Sequence, residues 1–138
     1  MHPSDVQHTP LFRSVPRRRR GEVARLTDRL TVPAGKVLIR QGDLAHEFFV
    51  ILDGNASVIR DGRLVRSLGP GEFFGEIGLV GKPFRTASVI AGSDLEVLVL
   101  GRREFRTMLS RFPAVASHVL REGRMRVVST LREVEARG

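Results

Sequence analysis

The sequence contains no cysteine, no tryptophan and no tyrosine among its 138 residues. The lack of cysteine excludes disulfide bonds and cysteine metal sites. No apolar run approaches the roughly 18 residues that a transmembrane helix needs. The first five residues, Met1-His2-Pro3-Ser4-Asp5, also lack the hydrophobic core of a signal peptide. We therefore expect a cytoplasmic protein.

Recognisable catalytic patterns are missing as well. The histidines are scattered, with no pair at metal-ligand spacing, and stand at His2, His8, His46 and His118. The chain has no Gly-x-Ser-x-Gly nucleophile elbow and no carboxylate pair in a recognisable context. We predict a protein that is not an enzyme and that carries no metal and no cofactor.

Positive charge is concentrated at the two ends of the chain, which has a formal net charge of +8. Residues 1–40 contain nine Lys or Arg against three acids, and residues 101–138 contain nine against four, whereas residues 41–100 contain five against eight. Such a balance indicates nucleic-acid or membrane contact, or only arginines on solvated helix surfaces. The block Arg17-Arg18-Arg19-Arg20 is either a solvated helix face or loop, or a docking patch for a partner, an anionic membrane or nucleic acid.

The length and the 41% hydrophobic content predict one compact domain with a real core. Residues 10–30 are predicted to be helical, with candidate buried positions at Leu11, Phe12, Val15, Val23, Leu26 and Leu30. From Thr31 to Leu100, short β-branched and aromatic runs alternate with turns about every ten residues, which is typical of an all-β sandwich, barrel or roll. The pair Asp61-Gly62 predicts a two-residue hairpin turn.

After residue 101 the apolar spacing becomes helical again. One short helix has a predicted apolar face formed by Phe105, Met108, Leu109 and Phe112, and Pro113 breaks it. A longer helix is predicted over residues 114–136. Its stripe at 3–4-residue spacing consists of Ala116, Leu120, Val127, Leu131 and Val134, with Val119, Met125 and Val128 lying off it.

The chain is organised around residues 71–88, which hold four glycines between predicted strands. Gly75 lets the backbone approach a ligand because it has no Cβ. Residues 76–80 can form one helical turn whose free N–H groups favour an anion such as phosphate. Arg85 adds a planar fork for two phosphate oxygens, and Glu76 is an acceptor suited to sugar hydroxyls. The spacing therefore indicates a ligand with a phosphate and a free ribose hydroxyl close together.

This stretch resembles the phosphate-binding cassette of the cyclic nucleotide-binding domain, through Phe74-Gly75-Glu76-Ile77-Gly78-Leu79 and Arg85-Thr86-Ala87. That β-roll is shared by bacterial catabolite activators, cyclic-nucleotide-dependent kinases and cyclic-nucleotide-gated channels. Four further segments fall where the family has turn glycines: Pro33-Ala34-Gly35, Gln41-Gly42-Asp43, Asp53-Gly54 and Gly69-Pro70-Gly71. The resemblance covers roughly residues 10–135.

The resemblance implies a fold that is mainly β with flanking helices. A jelly-roll-like β-roll would occupy residues 31–100, between an N-terminal segment, 1–30, and C-terminal helices, 101–138. In the family, the glutamate at position 76 accepts from the ribose 2′-hydroxyl and the arginine at position 85 holds the cyclic phosphate. The implied cyclic-nucleotide contacts are Phe74, Gly75, Glu76, Ile77, Gly78, Leu79, Arg85, Thr86 and Ala87.

The same resemblance makes the C-terminal helix a lid over the nucleotide and the interface of a parallel homodimer. Thr130 falls where bacterial activators place a hydroxyl near the purine. The implied purine and lid contacts are Val58, Val128, Ser129, Thr130 and Leu131. The alternative is an amphipathic helix on which Ser129 and Thr130 only face water.

The leading functional hypothesis is a receptor for cAMP or cGMP that signals through its lid helix to a dimer mate or to a separate protein at the arginine-rich ends. One alternative is a transcription regulator of the catabolite activator type without its DNA-binding domain. Because no helix-turn-helix follows the long helix, specific DNA binding is not expected. The other alternative is a nucleotide-free scaffold that oligomerises through residues 114–136. The sequence favours neither purine, since Thr86 suits both.

Overall fold

The computed structural model describes residues 9–75 and 85–122. Two 3₁₀-helices, Pro10–Phe12 and Arg17–Arg19, precede helix α1, Arg20–Leu26. The strands of the described ranges are β1 Asp28–Val32, β2 Val37–Ile39, β3 Glu47–Asp53, β4 Ala56–Arg60, β5 Arg63–Leu68, β6 Phe73–Phe74, β7 Ser88–Ala91 and β8 Leu95–Gly101. Helix α2, Arg102–Arg111, follows β8 directly, and residues 113–122 are helical too.

The strands form two antiparallel four-stranded sheets. The first sheet has the order β1-β8-β3-β6, and the second has the order β2-β7-β4-β5. Strands distant in sequence are neighbours, as where β1 pairs with β8 and β2 pairs with β7. This arrangement confirms the predicted fold class, a mainly β roll with flanking helices.

The first sheet lies between two hydrophobic cores, because alternate side chains of its strands point to opposite faces. Phe48 and Val50 of β3 pack in a core with the helices, whereas Phe49 and Ile51 pack in a core with the second sheet. Strand β8 follows the same rule over its apolar run, residues 97–100. The run is therefore buried on both faces of the sheet.

The predicted hairpin at Asp61-Gly62 is confirmed. It joins β4 to β5, and Arg60 and Arg63 face each other as the last pair before the turn. Asp61 has φ +52° and Gly62 has φ +78°, so both central residues adopt the positive φ that a type I′ turn requires. Aspartate tolerates this conformation better than most residues do.

The predicted helical stretch over residues 10–30 is wrong at residues 13–16, which are not helical, and at its end. Helix α1 stops at Leu26, Thr27 is extended, and β1 begins at Asp28 and pairs with β8. Leu30 is 47% exposed rather than buried. Its four-residue distance from Leu26 fits a helix, but its two-residue distance from Val32 fits a strand equally well. The hydrogen bonds to β8, which local periodicity does not reveal, favour the strand.

The predicted apolar stripe beyond Pro113 does not face the core of this chain where the structure describes it. Val115 and Val119 are fully buried, whereas Ala116 is half-buried and Leu120 is 37% exposed. Pro113 opens a new helical segment, in which the amide of Ala116 donates to the carbonyl of Phe112 at 3.0 Å. Because the segment after Pro113 is a separate helix, the residues of it that face the core cannot be inferred from the apolar spacing within α2.

An ion cluster joins the N-terminal segment to the end of α2. The Glu22 carboxylate accepts from Arg19 Nε at 2.7 Å and from Arg111 Nη1 at 3.1 Å. The Arg19 guanidinium also lies 4.5 Å from the centre of the Phe112 ring. The contacts with Arg19 and Arg111, chiefly the hydrogen bond from Arg19, hold the pKa of Glu22 below its ordinary value.

This cluster predicts a pH-dependent effect of Glu22→Gln. A carboxylate with a lowered pKa in the folded state contributes stability above its unfolded pKa of about 4.3 and loses it as pH falls through the folded value. We expect the variant to melt slightly below wild type at neutral pH and level with it in strong acid. Melting curves across this range test the effect, with Asp28→Asn as a control for the removed charge. A difference that persists in acid would contradict it.

Candidate functional site

Strand β6 brings the start of the cassette against β3. Phe74 is buried and stacks on Phe49, with ring centres 4.8 Å apart and planes 13° apart. Gly75 follows at once with φ +98°. A Cβ at this position would lie 2.7 Å from the carbonyl oxygen of Glu47 and 3.2 Å from Nη1 of Arg85. The position therefore excludes any side chain, both by conformation and by space.

Arg85 is buried beside this glycine, with 8% of its surface exposed. Its Nη1 donates to the carbonyl of Gly75 at 2.7 Å, and its Nη2 donates to the carbonyl of Glu47 at 2.5 Å. The planar fork thus ties the cassette to the start of β3. Gly75 and Arg85, two predicted site residues ten positions apart in the chain, therefore meet at hydrogen-bond distance.

The backbone of Arg85 is held from its other side. Its amide donates to the carbonyl of Asp43 at 2.7 Å, and its carbonyl accepts from the amide of Gly42 at 2.8 Å. Sequence reasoning identified Gln41-Gly42-Asp43 only as a turn and missed both this contact and the Glu47 carbonyl. Every residue has the same backbone donor and acceptor, so the sequence does not reveal these contacts, and Gly42 is the only sign of the turn that makes them.

The remaining predicted contacts in the described ranges lie on the second sheet or on the chain that leads into it. Thr86 and Ala87 are half-buried and lead into β7. The carbonyl of Thr86 accepts from Arg60 Nε at 3.3 Å. Val58, on β4, is half-buried, packs against the core between the sheets and pairs with Val89. These positions are compatible with one site, whose ligand contacts stay predictions.

The other predicted site residues lie outside the described residues. They are Glu76, Ile77, Gly78 and Leu79 of the cassette, and Val128, Ser129, Thr130 and Leu131 of the lid.

Aromatic rings connect the cassette strand to the C-terminal helices. The ring of Phe48 lies 5.5 Å from that of Phe73 and 4.6 Å from that of Phe105 on α2, measured between centres. The ring of Phe73 lies 5.7 Å from the imidazole of His118. Both helical segments after β8 therefore pack against residues next to Phe74 and Gly75.

The described ranges contain neither a candidate metal site nor a candidate membrane-spanning helix. No group of three or more His, Cys, Asp or Glu residues there could hold a metal ion. Among the same residues, no helix is both long and apolar enough to cross a membrane.

Comparison with known proteins identifies relatives of this chain. The family model of the cyclic nucleotide-binding domain matches residues 29–112. The cAMP-dependent protein kinase regulatory subunit of Schizosaccharomyces pombe is 30% identical over 110 residues, which are 79% of this chain and 27% of the relative. The cyclic AMP receptor protein of Thermus thermophilus is 35% identical over 92 residues, which are 63% of this chain and 43% of the receptor.

A solved structure agrees with these matches. The catabolite activator protein of Thermus thermophilus superposes with a TM-score of 0.73 at 31% identity, over 94% of this chain and 61% of that one. The chain thus spans about a quarter of the length of the kinase regulatory subunit and less than half of the receptor.

Proposed function

The chain belongs to the cyclic nucleotide-binding domain family, and we propose that it is a receptor for a cyclic mononucleotide, cAMP or cGMP. Its work would be recognition and signalling, with no bond made or broken. The relatives named above are a kinase regulatory subunit and a receptor, which agrees with a regulatory role.

The observation that carries the proposal is the placement of Arg85. Its guanidinium is buried against Gly75, where a side chain would collide with the Glu47 carbonyl, and two carbonyls hold its planar fork. A fork that is already oriented loses little side-chain entropy when it takes up an anion, and its shape suits two oxygens of one phosphate. We propose that the cyclic phosphate binds Arg85, with the Thr86 hydroxyl and the amides near Gly75 completing the cradle.

The sugar and the base would be recognised by the rest of the predicted set. We propose that Glu76 accepts from the ribose 2′-hydroxyl, because a carboxylate is an acceptor that a hydroxyl satisfies. The purine would lie against Val58 and under the C-terminal helix, near Thr130 and its neighbours. The choice between adenine and guanine stays open, because Thr86 suits both.

We propose that the signal leaves through the C-terminal helix, which would also form a homodimer. Phe73 supports this route. It directly precedes Phe74, the first residue of the predicted cassette contacts, and it packs in the same hydrophobic core as Val115 and Val119 of segment 113–122. A lid responds to a ligand only as far as the ligand binds its closed state better than its open state. The contacts made on closure would therefore set the strength of the signal.

A partner at the arginine-rich ends is the second part of the proposal. The described residues 9–26 and 102–122 contain eleven arginines and three glutamates. One of those carboxylates, on Glu22, is already held by Arg19 and Arg111. We infer that an acidic surface of a partner protein would suit the same residues. Salt-dependent binding of any DNA duplex would instead favour the transcription-regulator alternative.

The test is calorimetric titration of cAMP, cGMP and linear 5′-AMP into the folded chain, freed of co-purified nucleotide. We expect a cyclic nucleotide to bind with a Kd of about a micromolar or less, roughly −8 kcal/mol, and the linear control to bind more weakly. The ratio of the two cyclic affinities identifies the messenger. No heat with either cyclic nucleotide, together with an unchanged melting temperature, would overturn the receptor and favour the scaffold.

A further inference from the structure

The turn Gln41-Gly42-Asp43 holds the backbone of Arg85 by two hydrogen bonds. The Gly42 amide and the Asp43 carbonyl are the turn's contributions, at 2.8 and 2.7 Å. The turn closes on itself, since the Asp43 amide donates to the carbonyl of Arg40 at 3.1 Å. Any shift of this turn would therefore shift the point from which the Arg85 side chain starts.

Gln41 fastens this turn to the tip of the β4–β5 hairpin. Its Nε2 donates to Oδ1 of Asp61 at 2.9 Å, and its Oε1 accepts from the amide of Asp61 at 3.0 Å. The amide of Gln41 donates to Oγ of Ser88 at 2.9 Å. One exposed side chain thus makes a reciprocal pair with a residue twenty positions away.

Asp61 is well placed to receive that pair. Among the described residues it is the one non-glycine residue with positive φ, at +52°. This conformation directs its amide and carboxylate to the same glutamine. The same hairpin reaches the other side of Arg85 as well, because Arg60 Nε donates to the carbonyl of Thr86. The hairpin tip therefore contacts both the turn that precedes the site and the residue that follows Arg85.

We propose that Gln41 and Asp61 are positioning residues for anion binding. They would hold turn 41–43 against the hairpin, and the turn would hold Arg85 where its fork meets the phosphate. Neither residue touches the ligand in this scheme. The inference rests on the proposed function, since it concerns the binding of a cyclic nucleotide by Arg85.

Gln41→Met is the neutral test, because it keeps the length of the side chain and removes both hydrogen bonds. We expect the cyclic nucleotide that wild type binds to bind roughly three- to tenfold more weakly, the range for losing one or two exposed hydrogen bonds. The melting temperature without ligand should stay near that of wild type, since the side chain is exposed. Because the variant carries no new charge, long-range repulsion of the phosphate cannot produce the loss.

A rescue experiment separates the pair from the single residue. Gln41→Glu places a carboxylate against that of Asp61 and should weaken binding at least as much. Asp61→Asn alone should bind like wild type, since the amide oxygen can still accept from Gln41 and Asn suits positive φ. Combining the two substitutions should restore affinity, because the new amide at position 61 can donate to the new carboxylate at position 41.

The outcomes are distinguishable. Weaker binding by both Gln41 variants, with recovery in the double variant, supports the positioning role. Wild-type affinity in Gln41→Met, or no recovery in the double variant, overturns it and leaves the receptor function intact. A wild-type chain that binds neither cyclic nucleotide overturns the receptor function, and this inference with it.

Discussion

Arg85→Ala should weaken cyclic-nucleotide binding by about 30-fold to several-thousandfold, the equivalent of roughly 2–5 kcal/mol for losing one partner of a desolvated charge pair. The guanidinium is buried, with 8% of its surface exposed, so water would screen its attraction for a phosphate poorly. Calorimetric titration of the variant measures the loss. The same substitution leaves the carbonyls of Gly75 and Glu47 without this donor, so we also expect a lower melting temperature.

Two controls separate charge from structure in this experiment. Arg63→Ala removes one exposed positive charge from the hairpin and should leave affinity almost unchanged. Arg85→Lys keeps the charge but loses the fork that reaches two carbonyls, and it should bind with intermediate affinity. If Arg85→Ala melted earlier than wild type but bound nucleotide equally well, Arg85 would be only a tie between the cassette and β3.

Gly75→Ala should lower the free energy of unfolding by about 2–5 kcal/mol, from the strain of positive φ and from overpacking. At φ +98° the new Cβ would lie 2.7 Å from the backbone oxygen of Glu47, and a backbone atom cannot rotate away as a side chain can. Either β3 or the start of the cassette must shift. Because Nη2 of Arg85 donates to that same oxygen, affinity for the nucleotide should fall as well. Denaturant titration measures the stability.

Gly35→Ala is the matched control for this substitution. Gly35 has φ +86°, and a Cβ there would meet no atom within 4 Å. Gly35→Ala should therefore lower the free energy of unfolding only through conformational strain, by about 1–2 kcal/mol. The difference between the two variants isolates the collision with Glu47. Equal destabilisation by both would show that the close approach at Gly75 is relieved at no cost.

Features of the fold that depend on a few neighbouring residues, such as strands and turns, could be predicted from the sequence. The short strands and recurring turns indicate a small all-β sandwich, barrel or roll, and the Asp61-Gly62 pair indicates its hairpin, because turn geometry depends on those two residues. Leu30 shows the limit, since its spacing suits helix and strand equally and only its long-range partner decides. Val115 shows a second limit, since the direction of a helix after a proline depends on what it packs against.

The candidate site divides in the same way. Gly75 and Arg85 stand out in the sequence because their side chains, or the lack of one, make them suitable for an anion. Arg85 is also held by the carbonyl of Glu47 and by hydrogen bonds from Gly42 and to Asp43. These contacts involve main-chain atoms that every residue possesses. Such contacts become visible only when the strands are assembled, and they are the contacts that orient the arginine.

Because side chains alternate along β3 and β8, substitutions on the two faces of the first sheet affect two different hydrophobic cores. Even-numbered residues of these strands, such as Phe48 and Leu98, meet the helices, and odd-numbered ones, such as Phe49 and Val97, meet the second sheet. The helical layer can therefore be repacked by substitutions at the even-numbered positions alone, while the odd-numbered positions that hold the second sheet stay unchanged. In this architecture, changes to the helical layer and retention of the two-sheet roll therefore require separate sets of substitutions.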